Sequence, residues 1–242
     1  MTGTADDPLR VPAEPTNGRY RDGRTARRLL GAVVVAASWA AFDTILGARR
    51  IHRAMVSNRR SRARSIQRAF PIETGDTVML GDSITAEGDW SAALPDLRIR
   101  NRGIGSDTTA DVLERLDDSL TGPPGLLLLM IGTNDLEFGV AHAQTVRNVC
   151  LILDRVSAAA PDTRVVVHAV LPRRDRYHPL VAPLNAALAR VCGERDLEFL
   201  DLTVHFADAD GMFDTTMTDD GLHPNGQGHR RWADLLRPVL ES

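Results

Sequence analysis

From residue 71 onward, short apolar runs alternate with stretches of helical period, and no other feature constrains the fold as tightly. The runs at 77–80, 98–100, 126–131, 165–170 and 197–202 read as strands. Between and after them, 107–120, 141–160, 180–192 and 226–240 carry apolar residues at helical spacing. Asp107 is the expected cap of the first helix, and Pro183 is tolerable only near the start of the third. The face expected for 141–160 is Val146, Val149, Leu153 and Val156. Strands that alternate with helices predict parallel βαβ units in an α/β domain, with a five-stranded sheet covered on both faces.

In such a sheet, functional loops follow the C-terminal ends of the strands. The polar clusters obey that rule. Gly81-Asp82-Ser83 follows the first run, Asn101-Arg102-Gly103 the second and Gly132-Thr133-Asn134-Asp135 the third. The segment 218–225, with Asp220 and His223, follows the fifth after a loop. A doubly wound sheet brings these distant segments to one rim.

The rim has the parts of a nucleophilic site. Ser83 lies at a strand-to-helix turn, and a serine hydroxyl needs a base to attack. His223 is the candidate base, and Asp220, three residues earlier, can orient its ring. The backbone N–H groups of Ser83 and Gly103 and the side-chain amide of Asn134 are candidate oxyanion donors. Taken singly, each has a structural explanation as a cap, a turn residue or a core histidine. Together, each after the right strand, they point to catalysis. His168 reads as a core or sheet histidine, and His205 and His229 lack an acid at useful spacing. Asp82 reads as ordering the nucleophile turn. Arg173, Arg174 and Arg176 follow the fourth run and read either as an anion-recognising cluster or as a solvated arginine run. No His, Cys, Asp or Glu cluster has metal spacing, so no metal is expected. Cys150 and Cys192 read as small buried residues.

These blocks resemble those of the SGNH hydrolases, the GDSL-type lipases and esterases. Gly81-Asp82-Ser83-Ile84-Thr85 is similar to the family's nucleophile block, and Asn101-Arg102-Gly103-Ile104-Gly105 to its oxyanion glycine block. Gly132-Thr133-Asn134-Asp135 is similar to its oxyanion asparagine block, and Asp220-Gly221-Leu222-His223-Pro224 to its acid–base block. The resemblance spans about residues 75–240. It implies a flavodoxin-like three-layer α/β/α sandwich and a serine esterase that uses no metal or organic cofactor. Residues 105–109 and 222–232 look most like the platelet-activating-factor acetylhydrolase-like and carbohydrate acetylesterase branches, which favour short acyl groups. An acyltransferase acting on an alcohol acceptor is the alternative activity, and a non-catalytic envelope-binding module a further one.

Charge divides the chain. It contains no lysine, and its net charge of -3 conceals two opposed parts. Residues 1–70 hold 14 arginines against 5 acids, whereas 71–242 hold 15 against 27. The acidic part shows neither a basic stripe nor stacking aromatics, so nucleic acid is not an expected partner. We divide the chain into a disordered tail (1–24), a helical membrane-associated leader, apolar then Arg-rich (25–70), and the hydrolase domain (71–242). The apolar run 29–48 is about as long as a bilayer is thick and reads as a membrane anchor. A cleaved export signal and a helix packed on a partner are the other readings. The arginines after the run favour keeping the enzyme on the cytoplasmic side, and those between Arg49 and Arg68 suit a basic helix on anionic headgroups.

Overall fold

A computed structural model describes residues 57–241 of the chain. The disordered tail and the membrane run expected at 29–48 lie outside the described residues. Five strands, β1 (Thr77–Gly81), β2 (Ile99–Gly103), β3 (Leu126–Met130), β4 (Arg164–His168) and β5 (Glu198–Leu200), form one sheet. Its order is β2-β1-β3-β4-β5, and every pairing is parallel. That is the α/β sandwich expected from the alternation.

Helices cover both faces because the central strands are apolar on both sides. The helices are α1 over residues 57–69, α2 (Ser83–Ala86), α3 (Trp90–Ala93), α4 (Thr109–Glu114), α5 (Leu116–Ser119), α6 (Thr133–Glu137), α7 (His142–Ala159), α8 (His178–Glu194) and α9 (Gly226–Leu240). Successive strand side chains point to opposite faces. Val78, Leu80, Leu127, Leu129 and Val167 therefore pack with Val112 of α4, Ile152 and Val156 of α7 and Leu184 of α8. Met79, Leu128, Met130 and Val166 pack on the other face with Trp90 of α3, Trp232 and Leu236 of α9, and Phe206 and Phe213 of the connection before α9. The buried face of α7 includes Val149, Ile152, Leu153 and Val156, the helical spacing that makes it amphipathic. Truncating Ile152, which is wholly buried, to alanine costs about 2–5 kcal/mol.

Several boundaries differ from the sequence reading. Strand β2 runs through Asn101-Arg102-Gly103 instead of ending before it. The helix expected at 107–120 is two, α4 and α5, joined at Arg115, whose side chain turns inward. Thr108, not Asp107, caps α4, in a capping box with Asp111. Helix α8 starts two residues early, so Pro183 falls inside it.

The largest departure concerns α1. The sequence reading placed it in the membrane-associated leader, yet its polar row lies on the hydrolase unit. Arg60 pairs with Asp107 at 2.8 Å and Asp111 at 2.6 Å, Arg64 with Glu114 and Asp118, and Arg68 with Asp118. Buried Gln67 accepts a hydrogen bond from Ser119 Oγ at 2.9 Å. Helix α1 therefore belongs to the same compact unit as the hydrolase domain. Among the described residues, no helix is long and apolar enough to cross a membrane.

Candidate active site

The site begins where β1 ends. Gly81 closes the strand in a gap that admits no side chain, since a Cβ there would stand 2.3 Å from Thr85 Oγ1 and 2.4 Å from the Met130 carbonyl. Asp82 then caps α2, accepting the Ile84 N–H at 3.0 Å. Ser83 is the first residue of that helix, so its hydroxyl stands at the C-terminal rim and its N–H has no partner within α2.

His223 arrives from the far end of the chain. Its Nε2 lies 2.9 Å from Ser83 Oγ, and its Nδ1 lies 2.6 Å from Asp220 Oδ2. The carboxylate selects the tautomer with the proton on Nδ1, which leaves the Nε2 lone pair facing the serine hydroxyl. Asp220 is itself fixed, because its Oδ1 accepts the N–H groups of Leu222 at 2.9 Å and His223 at 2.8 Å. Partial burial opposes the charge on Asp220, but the bonds from the His223 ring and these N–H groups outweigh it and bring the carboxyl down to about 2. The turn is braced by Thr218, whose hydroxyl donates to the His223 carbonyl at 2.7 Å and accepts the Gly221 N–H at 3.0 Å. Asn225 caps α9 and anchors the turn's far side.

The oxyanion donors fall differently from the expectation. The Asn134 amide is buried and donates one hydrogen to the Asp107 carbonyl at 2.9 Å, keeping its second. The N–H of Gly103, expected as a donor, is taken by Asn101 Oδ1 at 2.9 Å. Gly103 is small for another reason. A Cβ on it would stand 2.3 Å from the Ala86 backbone nitrogen and 2.8 Å from the Asp82 carbonyl, so it lets β2 and the nucleophile helix touch. The turn after β2 carries N–H groups that are not so engaged. The N–H groups of Gly105 and Ser106 have no hydrogen bond among the described residues, and a Cβ on Gly105 would stand 3.8 Å from Ser83 Cβ. Ser106 adopts a left-handed φ of 65°, which tightens this turn.

Buried ions hold these parts together, and the sequence reading missed them. Arg115, 2% exposed, donates to Asp107 Oδ2 at 2.6 Å, Ser119 Oγ at 2.6 Å and the Gly81 carbonyl at 2.9 Å. It thus ties the turn after β1 to the turn after β2. The available signal was an arginine on the apolar face that also carries Val112 and Leu116. Asp135 accepts the N–H and hydroxyl of Thr109 at 2.9 and 2.5 Å and fixes α4 to α6. Burial pushes the Asp82 carboxyl up to about 7, with the Asp107 and Asp135 charges adding to the effect.

The remaining candidates have structural partners. His168 lies in the core, with Nδ1 2.7 Å from the Ala169 carbonyl and Nε2 3.1 Å from Trp232 Nε1, and burial pulls it down to about 4. His229 packs against Trp90 and Trp232, and His205 meets Arg231. Arg173 is buried on Thr133, Glu137 and Asp175, Arg174 pairs with Asp208, and Arg176 bonds the Tyr177 hydroxyl. The anion-recognising reading of this arginine run is therefore replaced by internal bracing. Among the described residues, no group of three or more His, Cys, Asp or Glu is placed to hold a metal ion. Cys150 and Cys192 are free thiols. A cleft of about 650 Å³ opens between the loop after α2 and α9, with Glu87, Trp90, Pro224, Asn225, His229 and Arg230 in its walls.

A profile of the GDSL-like lipase/acylhydrolase family matches residues 79–231, which contain every part of this rim. Platelet-activating factor acetylhydrolase IB subunit alpha1 of Bos taurus is 29% identical over 178 residues, covering 68% of this chain and 75% of its own length. The alpha2 subunit of Homo sapiens is 26% identical over 183 residues, covering 69% and 75%. Among solved structures, a Streptococcus pneumonia protein provisionally described as a platelet activating factor superposes with a TM-score of 0.75 at 22% identity, over 80% of this chain and 98% of its own. A GDSL-like lipase from Bacteroides thetaiotaomicron gives 0.65 at 21%, over 75% and 97%. At these identities the solved structures speak to the fold alone.

Proposed function

This chain belongs to the GDSL-like lipase/acylhydrolase family, and from that footing we propose that it is a serine esterase of short-chain acyl esters, working through an acyl-enzyme on Ser83. The observation that carries the reading is the continuous relay Ser83–His223–Asp220, with contacts of 2.9 and 2.6 Å. His223 Nε2 takes the Ser83 proton as Oγ attacks the ester carbonyl. The resulting oxyanion is met by the Ser83 N–H, the free hydrogen of the Asn134 amide and the N–H groups of the 105–106 turn. Asp220 stabilises the imidazolium. His223 then passes its proton to the leaving alcohol, which departs into the cleft beside Pro224. A water deprotonated by the same ring releases the acid and restores Ser83.

Ser83→Ala is expected to abolish hydrolysis of p-nitrophenyl acetate and labelling by a fluorophosphonate, with an unchanged circular dichroism spectrum. Undiminished turnover in that variant would sink the reading. The short-acyl preference draws on the named activity of the platelet-activating factor acetylhydrolase relatives. A p-nitrophenyl ester series of rising chain length tests it, with turnover highest at two to four carbons on this proposal. The apolar run at 29–48 supports membrane association of the full chain. Flotation with anionic vesicles, with and without residues 1–53, tests that.

A further inference from the structure

Helix α1 brings four arginines toward the hydrolase unit, and three have acidic partners. Arg60, Arg64 and Arg68, one turn apart, meet Asp107, Asp111, Glu114 and Asp118. Arg59 is the exception: it is exposed and makes no ion pair or hydrogen bond among the described residues. Its side chain lies over Gly105, with Nη1 3.2 Å and Cδ 3.9 Å from where a Cβ on that glycine would stand. Ser83 Cβ is 3.8 Å from the same point. The missing side chain of Gly105 thus lets an unpaired guanidinium lie against the turn, close to the nucleophile.

The chemistry of the reaction assigns this side of Ser83 to one half of the substrate. The leaving oxygen must lie within reach of His223 Nε2 to be protonated, so the alcohol belongs on the Pro224 side. The N–H groups of the 105–106 turn take the oxyanion, so the remaining substituent, the acyl chain, runs along the bare Cα face of Gly105 toward Arg59. Arg59 Nη1 and Ser83 Cβ both lie within 4 Å of one point, so an acyl group held between them is short, and its far end meets a cation with no internal carboxylate. We propose that Arg59 is a specificity-determining residue that binds the terminal carboxylate of a short dicarboxylic acyl group, so that half-esters of succinate length are preferred substrates. The proposal rests on the esterase reading above. The step balances: Ser83 Oγ bonds the acyl carbon as its bond to the alcohol oxygen breaks, the serine proton passes through His223 to that oxygen, and water cleaves the acyl-enzyme to the free diacid.

The experiment compares p-nitrophenyl hemisuccinate with the neutral p-nitrophenyl butyrate on the full chain, taking Ser83→Ala as background. Arg59→Ala is expected to lower kcat/KM for the hemisuccinate about tenfold and to leave butyrate within about twofold, with Arg59→Lys intermediate. Equal effects on both esters, or on neither, overturn the proposal while leaving the esterase reading intact. If the wild type turns over neither ester, the esterase reading fails. Titration calorimetry with monomethyl succinate then decides the anion site separately: about tenfold weaker binding to Arg59→Ala supports it, and equal or absent binding overturns it.

Discussion

Ser106 holds a left-handed backbone at a non-glycine position, in the turn that packs beside Ser83. An L side chain in that region costs on the order of 1 kcal/mol. Ser106→Gly is therefore expected to raise the unfolding midpoint by roughly 1–4 °C, read by thermal denaturation, without lowering esterase activity. Asp220 acts through His223. Asp220→Asn removes the acceptor that sets the tautomer and should cost about 100- to 1000-fold in kcat, since the carboxylate is partly solvated and weaker than a fully buried one. Asp82 makes the pH-dependent case. Its folded carboxyl titrates near 7 against an ordinary 3.8, so the folded protein retains a proton that the unfolded chain releases across that interval. Stability attributable to this group is full below pH 4 and falls as pH rises toward 7. Asparagine keeps the capping oxygen and has no charge to bury. Asp82→Asn should melt higher than the wild type at pH 8 and match it at pH 4; a constant difference across that range would show that the carboxyl does not titrate there.

At the scale of elements, the contact between β2 and α2 decides what Gly103 does. Gly103→Ala keeps the backbone N–H but overlaps the Ala86 nitrogen and the Asp82 carbonyl, so α2 and Ser83 must shift. Activity is expected to fall more than about 100-fold although the N–H survives, because small displacements of a reacting group are costly. Helix α1 is the second case. Arg60→Ala leaves the wholly buried Asp107 with Arg115 alone and releases the Ser106 carbonyl, at a cost of about 1–3 kcal/mol in denaturant unfolding. Neither feature was legible beforehand, for different reasons. Strand β2 reads Ile-Arg-Asn-Arg-Gly, an edge strand with too few apolar residues to reveal its end, so Gly103 looked like a residue beyond it. The bonds of α1 join residues about 50 positions apart, and no local period announces a pairing of that kind.

Across the whole molecule, the parts read best were those with a local physical signature. The apolar runs of β1 and β3 are buried at every position, and α7 displays its face at helical spacing, so layer order and sheet direction followed from the sequence. Ser83, Asn134 and His223 were legible because each stands in a polar segment directly after such an element or beside a paired acid. What was hidden is the ionic frame of Arg60, Asp107 and Arg115, which links α1, the turn after β2 and the Gly81 carbonyl. That frame also decides how the enzyme answers a pull. A pull on α1 passes first into Arg60 and its acids, at the wall of the candidate site, and not into the sheet, to which α1 adds no strand. Loosening Arg60 slackens the turn after β2 ahead of the sheet, so turnover is expected to fade before the fold does when α1 is pulled away.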